Sequence, residues 1–233
     1  MRKSHLAITQ ARGTSRIVGG FFEELACKIL NGERCQPEQG DFVHWEPPGF
    51  IAEVKASDNN HSFRISKTQF LEQKKEIGWI FENHLYVLCK YNNRQGRKKG
   101  RPRKSILHRF RDADSIRTYL AHNTVRMHIL DRSIVLALEK RFYPQGVLPL
   151  GLDGEESIEI NHRMLENFSN PKKTSEWIKH LGLQKISIVS FCLSVPHVYG
   201  LIQTHTRVTV TTVLPYNVWK HVDSVLFQKA VAA

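Results

Sequence analysis

The sequence predicts a mixed α/β protein in which helices and strands alternate along a chain of 233 residues. Three observations carry that reading. Apolar residues recur at helical spacing in some segments and at strand spacing in others, with turn residues between them. The composition, 41% hydrophobic and 24% charged, is that of a soluble globular chain. Its length is ample for a buried core.

The first element follows from "IVGGFFEELACKIL", Ile17 to Leu30, where Phe21, Phe22, Leu25, Ala26, Ile29 and Leu30 fall on one helical face. A start near Gly19 and a stop at Asn31-Gly32 are expected. Residues 41–44 and 50–56 then read as two strands joined by "WEPPG". The polar run "SDNNHS" reads as a loop. An amphipathic helix is expected over Ile65–Ile77, with Ser66 at its N-cap. The short apolar run Leu85–Lys90 reads as a buried strand.

Residues 92–105 hold seven basic residues and no acid, without apolar periodicity, so a loop or linker is expected there. Beyond it, helices are expected over 114–121, 133–141 and 216–230. Strands are expected over 125–130, 185–193 and 207–214, and residues 143–175 read as turn-rich. The expected organisation is a core over 1–92, a basic linker over 93–105 and an accessory α/β region over 106–233.

Charge and cysteine usage narrow the function classes. The net charge of +12 is uneven: residues 1–110 carry 20 Lys and Arg against 11 Asp and Glu. A basic half suggests a polyanion partner, most often nucleic acid. Cys27, Cys35, Cys89 and Cys192 form no C-x-x-C pair, which fits a reducing compartment better than a disulfide scaffold or zinc ribbon. No apolar run of about 18 residues predicts a membrane span. The twelve histidines show no metal-binding spacing.

The chemistry concentrates in "GDFVHWEPPGFIAEVKAS", Gly40 to Ser57. A turn centred on Pro47 sets 44 opposite 50, 43 opposite 51 and 42 opposite 52. Asp41 then faces Glu53, with Cβ atoms roughly 5 Å apart. Two carboxylates so close repel each other, and burying both is costly unless a cation joins them. Lys55 shares a face with Glu53, while Ala52 and Val54 point the other way. Such a cluster suits Mg²⁺, which takes one or two carboxylates and borrows the rest of its shell from water and phosphate. The bland alternative is an exposed edge hairpin with an ordinary Lys55 ion pair.

These residues resemble the PD-(D/E)XK nuclease superfamily, with a restriction-endonuclease-like αβββαβ core, and especially its Holliday-junction-resolvase-like branch. The resemblance covers about residues 15–91. It identifies Asp41 with the motif acid and Glu53-Val54-Lys55 with the E-x-K triplet. The helix acid becomes Glu23, with Glu24 as the alternative register, and the following-helix glutamine becomes Gln69, with Gln73 as the alternative. Gly40 stands where the family usually carries proline, and His44 and Trp45 where many members have aliphatic residues.

The resemblance implies a Mg²⁺-dependent DNA endonuclease, with Mn²⁺ able to substitute. Asp41, Glu53, the Val54 carbonyl and Glu23 would hold metal; Lys55 would serve the attacking water and Gln69 would orient it. Separately, "RKKGRPRKS" resembles an AT-hook, which implies minor-groove contacts from Arg97, Lys98, Lys99, Arg101, Arg103 and Lys104. An ordinary solvated linker stays open for this stretch. So does a non-cleaving DNA-binding protein for the whole chain. A homodimer is attractive because cutting both strands takes two sites, although no residue decides it. The expected location is cytoplasmic and nucleoid-associated, or nuclear in a eukaryote.

Overall fold

The computed structural model describes residues 2–35, 40–58, 62–68, 70, 83–92, 110–121, 123–150, 154–168, 173, 176, 179, 182 and 185–230. The fold is mixed α/β around one seven-stranded sheet. Helix α1 (Arg2–Ile29) leads into strands β1 (Glu33–Arg34), β2 (Phe42–His44), β3 (Phe50–Asp58), β4 (Phe63–Ser66) and β5 (Asn83–Tyr91). Then follow α2 (Ala113–Leu120), β6 (Thr124–Asp131), α3 (Arg132–Phe142), β7 (Ser157–Ile160) and α4 (His162–Phe168). A long hairpin, β8 (Ile186–Tyr199) and β9 (Ile202–Pro215), precedes the last helix, α5 (Tyr216–Ala230).

The sheet runs in the order β1-β2-β3-β5-β6-β9-β8. β1, β2 and β3 form an antiparallel meander, and β5 then lies parallel to β3 with Phe50 beside Asn83 and Asp58 beside Tyr91. β6 is antiparallel to β5, and β9 is parallel to β6. The strands of residues 106–233 thus extend the sheet that the first ninety residues begin.

Each face of the sheet carries its own apolar layer. On one face Phe22 and Leu25 of α1, Leu120 of α2 and Trp219 of α5 pack against Phe50 and Val87. On the other, Ile134 of α3, Leu165 of α4 and the β4–β7 ribbon cover Tyr86 and Leu88. β5 is buried from His84 to Tyr91, which explains why it reads as an unbroken apolar run.

Three sequence expectations change. The first helix starts at Arg2, well before Gly19, and runs straight through Gly19-Gly20. Two glycines weaken a helix interior, but the face from Phe21 to Leu30 is buried deeply enough to hold it. Ile65 and Ser66, expected to open a helix, instead end β4, because Phe63 and Ile65 pair with Ile160 and Ile158 and bury there. Residues 67, 68 and 70 are helical, and the rest of the expected helix lies outside the described residues. The turn-rich stretch also contains β7 and α4, elements too short to show a clear period.

The C-terminus of α1 is set by two neighbouring residues with different jobs. Asn31 takes the left-handed conformation, φ 51°, and the Gly32 amide donates to the Cys27 carbonyl at 2.9 Å, a Schellman closure. Gly32 itself is needed for space: a Cβ there would lie 2.3 Å from Cδ2 of Phe42.

Gly20 has nothing within 4 Å of an added Cβ, whereas Gly40 has φ +100° and Ile51 Cγ1 at 3.0 Å. Gly20→Ala should therefore stabilise the protein by about 0.5–1 kcal/mol in denaturant unfolding. Gly40→Ala should destabilise it by about 1–3 kcal/mol. Equal effects of the two substitutions would contradict this reading of α1 and the hairpin.

Candidate functional site

The hairpin register is the one its sequence predicts: Phe42 opposite Ala52, Val43 opposite Ile51, and His44 opposite Phe50. The ladder then changes character. The Asp41 amide still donates to the Ala52 carbonyl at 3.0 Å. The next amide, that of Val54, donates to Oδ2 of the Asp41 side chain at 2.6 Å. A carboxylate takes the place of a backbone acceptor, and β2 ends.

Gly40 makes this possible. Its φ of +100° turns the chain into β2, a conformation that proline's ring forbids and other L-residues strain to adopt. A glycine directly before Asp41 therefore has a local reason.

Glu53 is 2% exposed and accepts from Nζ of Lys55 at 2.5 Å. This is not a solvated surface pair, because the acid is in the interior and only the lysine reaches water. Asp41 stands half-buried beside it. Burial pushes the Asp41 carboxyl up from its ordinary 3.8 to about 7, and the Glu53 charge pushes in the same direction. The Val54 amide and the Lys55 ammonium pull it down but do not prevail. The balance leaves the Asp41 carboxyl holding its proton up to about pH 7.

Strand geometry adds a third donor. The amide and carbonyl of one residue in a strand point to the same side. Because the Val54 amide faces Asp41, the Val54 carbonyl faces that side too, away from β5. The β2–β3 pairs end at Phe42 and Ala52, short of this carbonyl.

The helix acids separate clearly. Glu23 pairs with Nη2 of Arg34 on β1, and its charge adds to the upward push on Asp41. Glu24 turns the other way, to Nζ of Lys28 at 2.8 Å and to Nη2 of Arg117 on α2 at 3.2 Å. Of the two registers, Glu23 is therefore the one on the hairpin side. It is held by arginine, and among the described residues no three His, Cys, Asp or Glu side chains group as a ready metal cluster. Gln69, Gln73 and the basic positions Arg97, Lys98, Lys99, Arg101, Arg103 and Lys104 lie outside the described residues.

Sequence reasoning missed what flanks Glu53. In the β3–β5 register Ile51 lies beside His84 and Glu53 beside Tyr86, so these side chains share one face. His84 is 2% exposed, and neither ring nitrogen has a hydrogen-bond partner among the described residues. Burial drives its pKa down to about 3, with the Arg132 guanidinium adding to the effect, so the ring is neutral at pH 7. Arg132 sits over the Phe70 ring at 4.2 Å, and Phe70 stacks on Tyr86 at 5.8 Å. Glu53 thus has Tyr86 and the neutral His84 ring on its face, with the Arg132 guanidinium stacked on Phe70 behind them. A histidine inside an apolar strand was the available signal, but only the register makes it a neighbour.

Comparisons with family models, with curated proteins and with solved structures found no match to this chain. No helix among the described residues is long and apolar enough to cross a membrane.

The raised Asp41 carboxyl makes a signed prediction. The folded state holds that proton more tightly than the unfolded chain, so its stabilisation is complete below pH 3.8 and fades as pH rises through about 7. The buried His84 acts oppositely, losing stability as pH falls below its ordinary 6.5. The difference between wild type and Asp41→Asn isolates the acid. In chelator, Asp41→Asn should raise Tm at pH 8 by about 2–4 °C or more and change it little at pH 4. An equal effect at both pH values would refute the assignment.

Proposed function

We propose that this chain is a divalent-metal-dependent nuclease that hydrolyses phosphodiester bonds in DNA, with a PD-(D/E)XK-type centre at Asp41, Glu53 and Lys55. The observation that carries the reading is the under-compensated carboxylate pair. Burial and the Glu53 charge leave Asp41 holding a proton to about pH 7, and a cation in place of that proton would remove both penalties. The donor set fits a hard ion: two carboxylates and a backbone carbonyl, with room in the shell for water and phosphate oxygens.

Asp41 and Glu53 would hold the ion, with the Val54 carbonyl completing the protein side. A bound divalent ion supplies charge neutralisation at the scissile phosphate and an activated attacking water. The chain's own residues do the rest. Val54 N–H fixes the Asp41 carboxylate through one oxygen, and the other would face the ion. Lys55 is the cation at the mouth of the site, on the same face as Glu53 and partly exposed. There it can accept or deliver the proton of an attacking water, or offset charge growing on the phosphate. The His84–Tyr86–Phe70 wall limits water behind the pair, which strengthens each of these interactions.

The order α1, the β1–β2–β3 meander, and β5 parallel to β3 is also the order expected of the restriction-endonuclease-like core. Glu23 is assigned here to holding β1 through Arg34 and to shaping the field at Asp41, rather than to direct ligation. DNA is the preferred substrate because of the net charge of +12 and its concentration in the first 110 residues.

Supercoiled plasmid and a four-way junction, each with Mg²⁺ and with EDTA, test the activity. Cleavage should require the metal, and Lys55→Ala should slow it by roughly two to four orders of magnitude while DNA binding persists. Mg²⁺ affinity should weaken by about tenfold per pH unit below about 7, as the ion competes with the Asp41 proton. Cleavage by Lys55→Ala at the wild-type rate, or DNA binding with no nicking in either Mg²⁺ or Mn²⁺, would sink the proposal.

A further inference from the structure

A second cluster lies on the opposite face of the same hairpin. His44, three residues after Asp41, is 3% exposed and stacks on Phe50 with ring centroids 5.1 Å apart. Its Nδ1 is 2.9 Å from the Asn31 carbonyl. A carbonyl only accepts, so Nδ1 carries a proton, and in the neutral ring the lone pair is on Nε2. That Nε2 is buried and has no hydrogen-bond partner among the described residues.

Opposite it stands His221 of α5, whose Nε2 is also buried and without a hydrogen-bond partner among the described residues. The ring centroids are 5.5 Å apart at 53°. Two imidazoles sharing one tetrahedral ion, with metal–nitrogen bonds of about 2.0–2.1 Å, place their centroids roughly 5–5.5 Å apart. Oε2 of Glu46 lies 3.8 Å from the His44 Nε2, on a side chain that is 81% exposed. Phe50 closes the far side, 6.1 Å from the His221 ring.

We propose that His44 and His221 form a structural transition-metal site for Zn²⁺ or a similar borderline ion, with Glu46 turning inward as third donor and water as fourth. The two rings already stand at the spacing of a shared ion and the Glu46 carboxylate must rotate inward, so the set would close around an ion. The Asn31 carbonyl is the outer partner that fixes the His44 tautomer, as ligating histidines generally require. Burial and the neighbouring His44 hold the His221 pKa below its ordinary 6.5, against the opposing pull of Glu46, so His221 is available as a neutral ligand at pH 7.

Imidazole nitrogen selects this site against Mg²⁺, which prefers the all-oxygen pair on the other face. The ion would tie β2, the strand that directly follows Asp41, to the final helix more than 170 residues away in sequence. Sequence spacing gives no hint of it, because the two histidines share no local motif.

The site is independent of the nuclease reading and is tested without it. Chelator-stripped full-length protein is titrated with Co²⁺ in excess Mg²⁺, and the visible ligand-field bands are followed. The expected result is one Co²⁺ per chain with tetrahedral bands that Zn²⁺ displaces, unchanged in Asp41→Asn. His221→Asn should weaken binding at least tenfold. Glu46→Gln, a surface change that leaves folding intact, should weaken it several-fold. Absence of bands in the wild type, bands retained in His221→Asn, no effect of Glu46→Gln, or bands lost in Asp41→Asn would each overturn the proposal.

Discussion

The hydrogen bond from the Val54 amide to the Asp41 carboxylate is the contact on which the site depends. It ends the β2–β3 ladder with a side chain where a backbone carbonyl would otherwise stand. In doing so it holds one acid beside a second, Glu53, that the sheet has already buried. An amide bond to a carboxylate is stronger than a neutral one and favours the ionised form. Even so, burial and the Glu53 charge outweigh it. The proposed divalent cation would remove that penalty by taking the place of the Asp41 proton.

That arrangement rests on glycine at two positions for two reasons. Gly40 supplies a backbone angle that swings Asp41 into line. Gly32 supplies clearance for Phe42, which anchors β2 against α1 from the other face. The sheet then protects the pair from both sides. α1 packs behind Ala52 and Val54, while β5 brings Tyr86 alongside Glu53, with His84 on the same face. The added strands β6, β9 and β8 widen the same sheet, so the site stands in a large rigid body rather than on a free hairpin.

Much of this was legible in the sequence, and the limits have physical causes. The Pro-Pro-Gly turn and apolar alternation specified the hairpin register residue by residue, because a slip of one would have put Phe42 and Phe50 on the wrong face. β5, β6, α2, α3 and α5 were readable from period and length. The β4–β7 ribbon was not, since Phe63 and Ile65 find their partners almost a hundred residues later. His84 and the His44–His221 pair were hidden for the same reason: each matters only through a neighbour from a distant strand or helix. The separation of Glu23 from Glu24 needed the third dimension too, because Arg34 and Arg117 lie on opposite sides of α1.

The central claim is that Asp41 and Glu53 form one buried, under-compensated pair whose missing charge is a divalent cation. Titration of the Asp41 carboxyl carbon by NMR, assigned with Asp41→Asn and run with and without Mg²⁺, tests it most directly. The account predicts an apparent pKa near 7 in the metal-free protein, with the titration moving down by about one unit or more as Mg²⁺ saturates. A carboxyl titrating near 3.8 and indifferent to Mg²⁺ would contradict it.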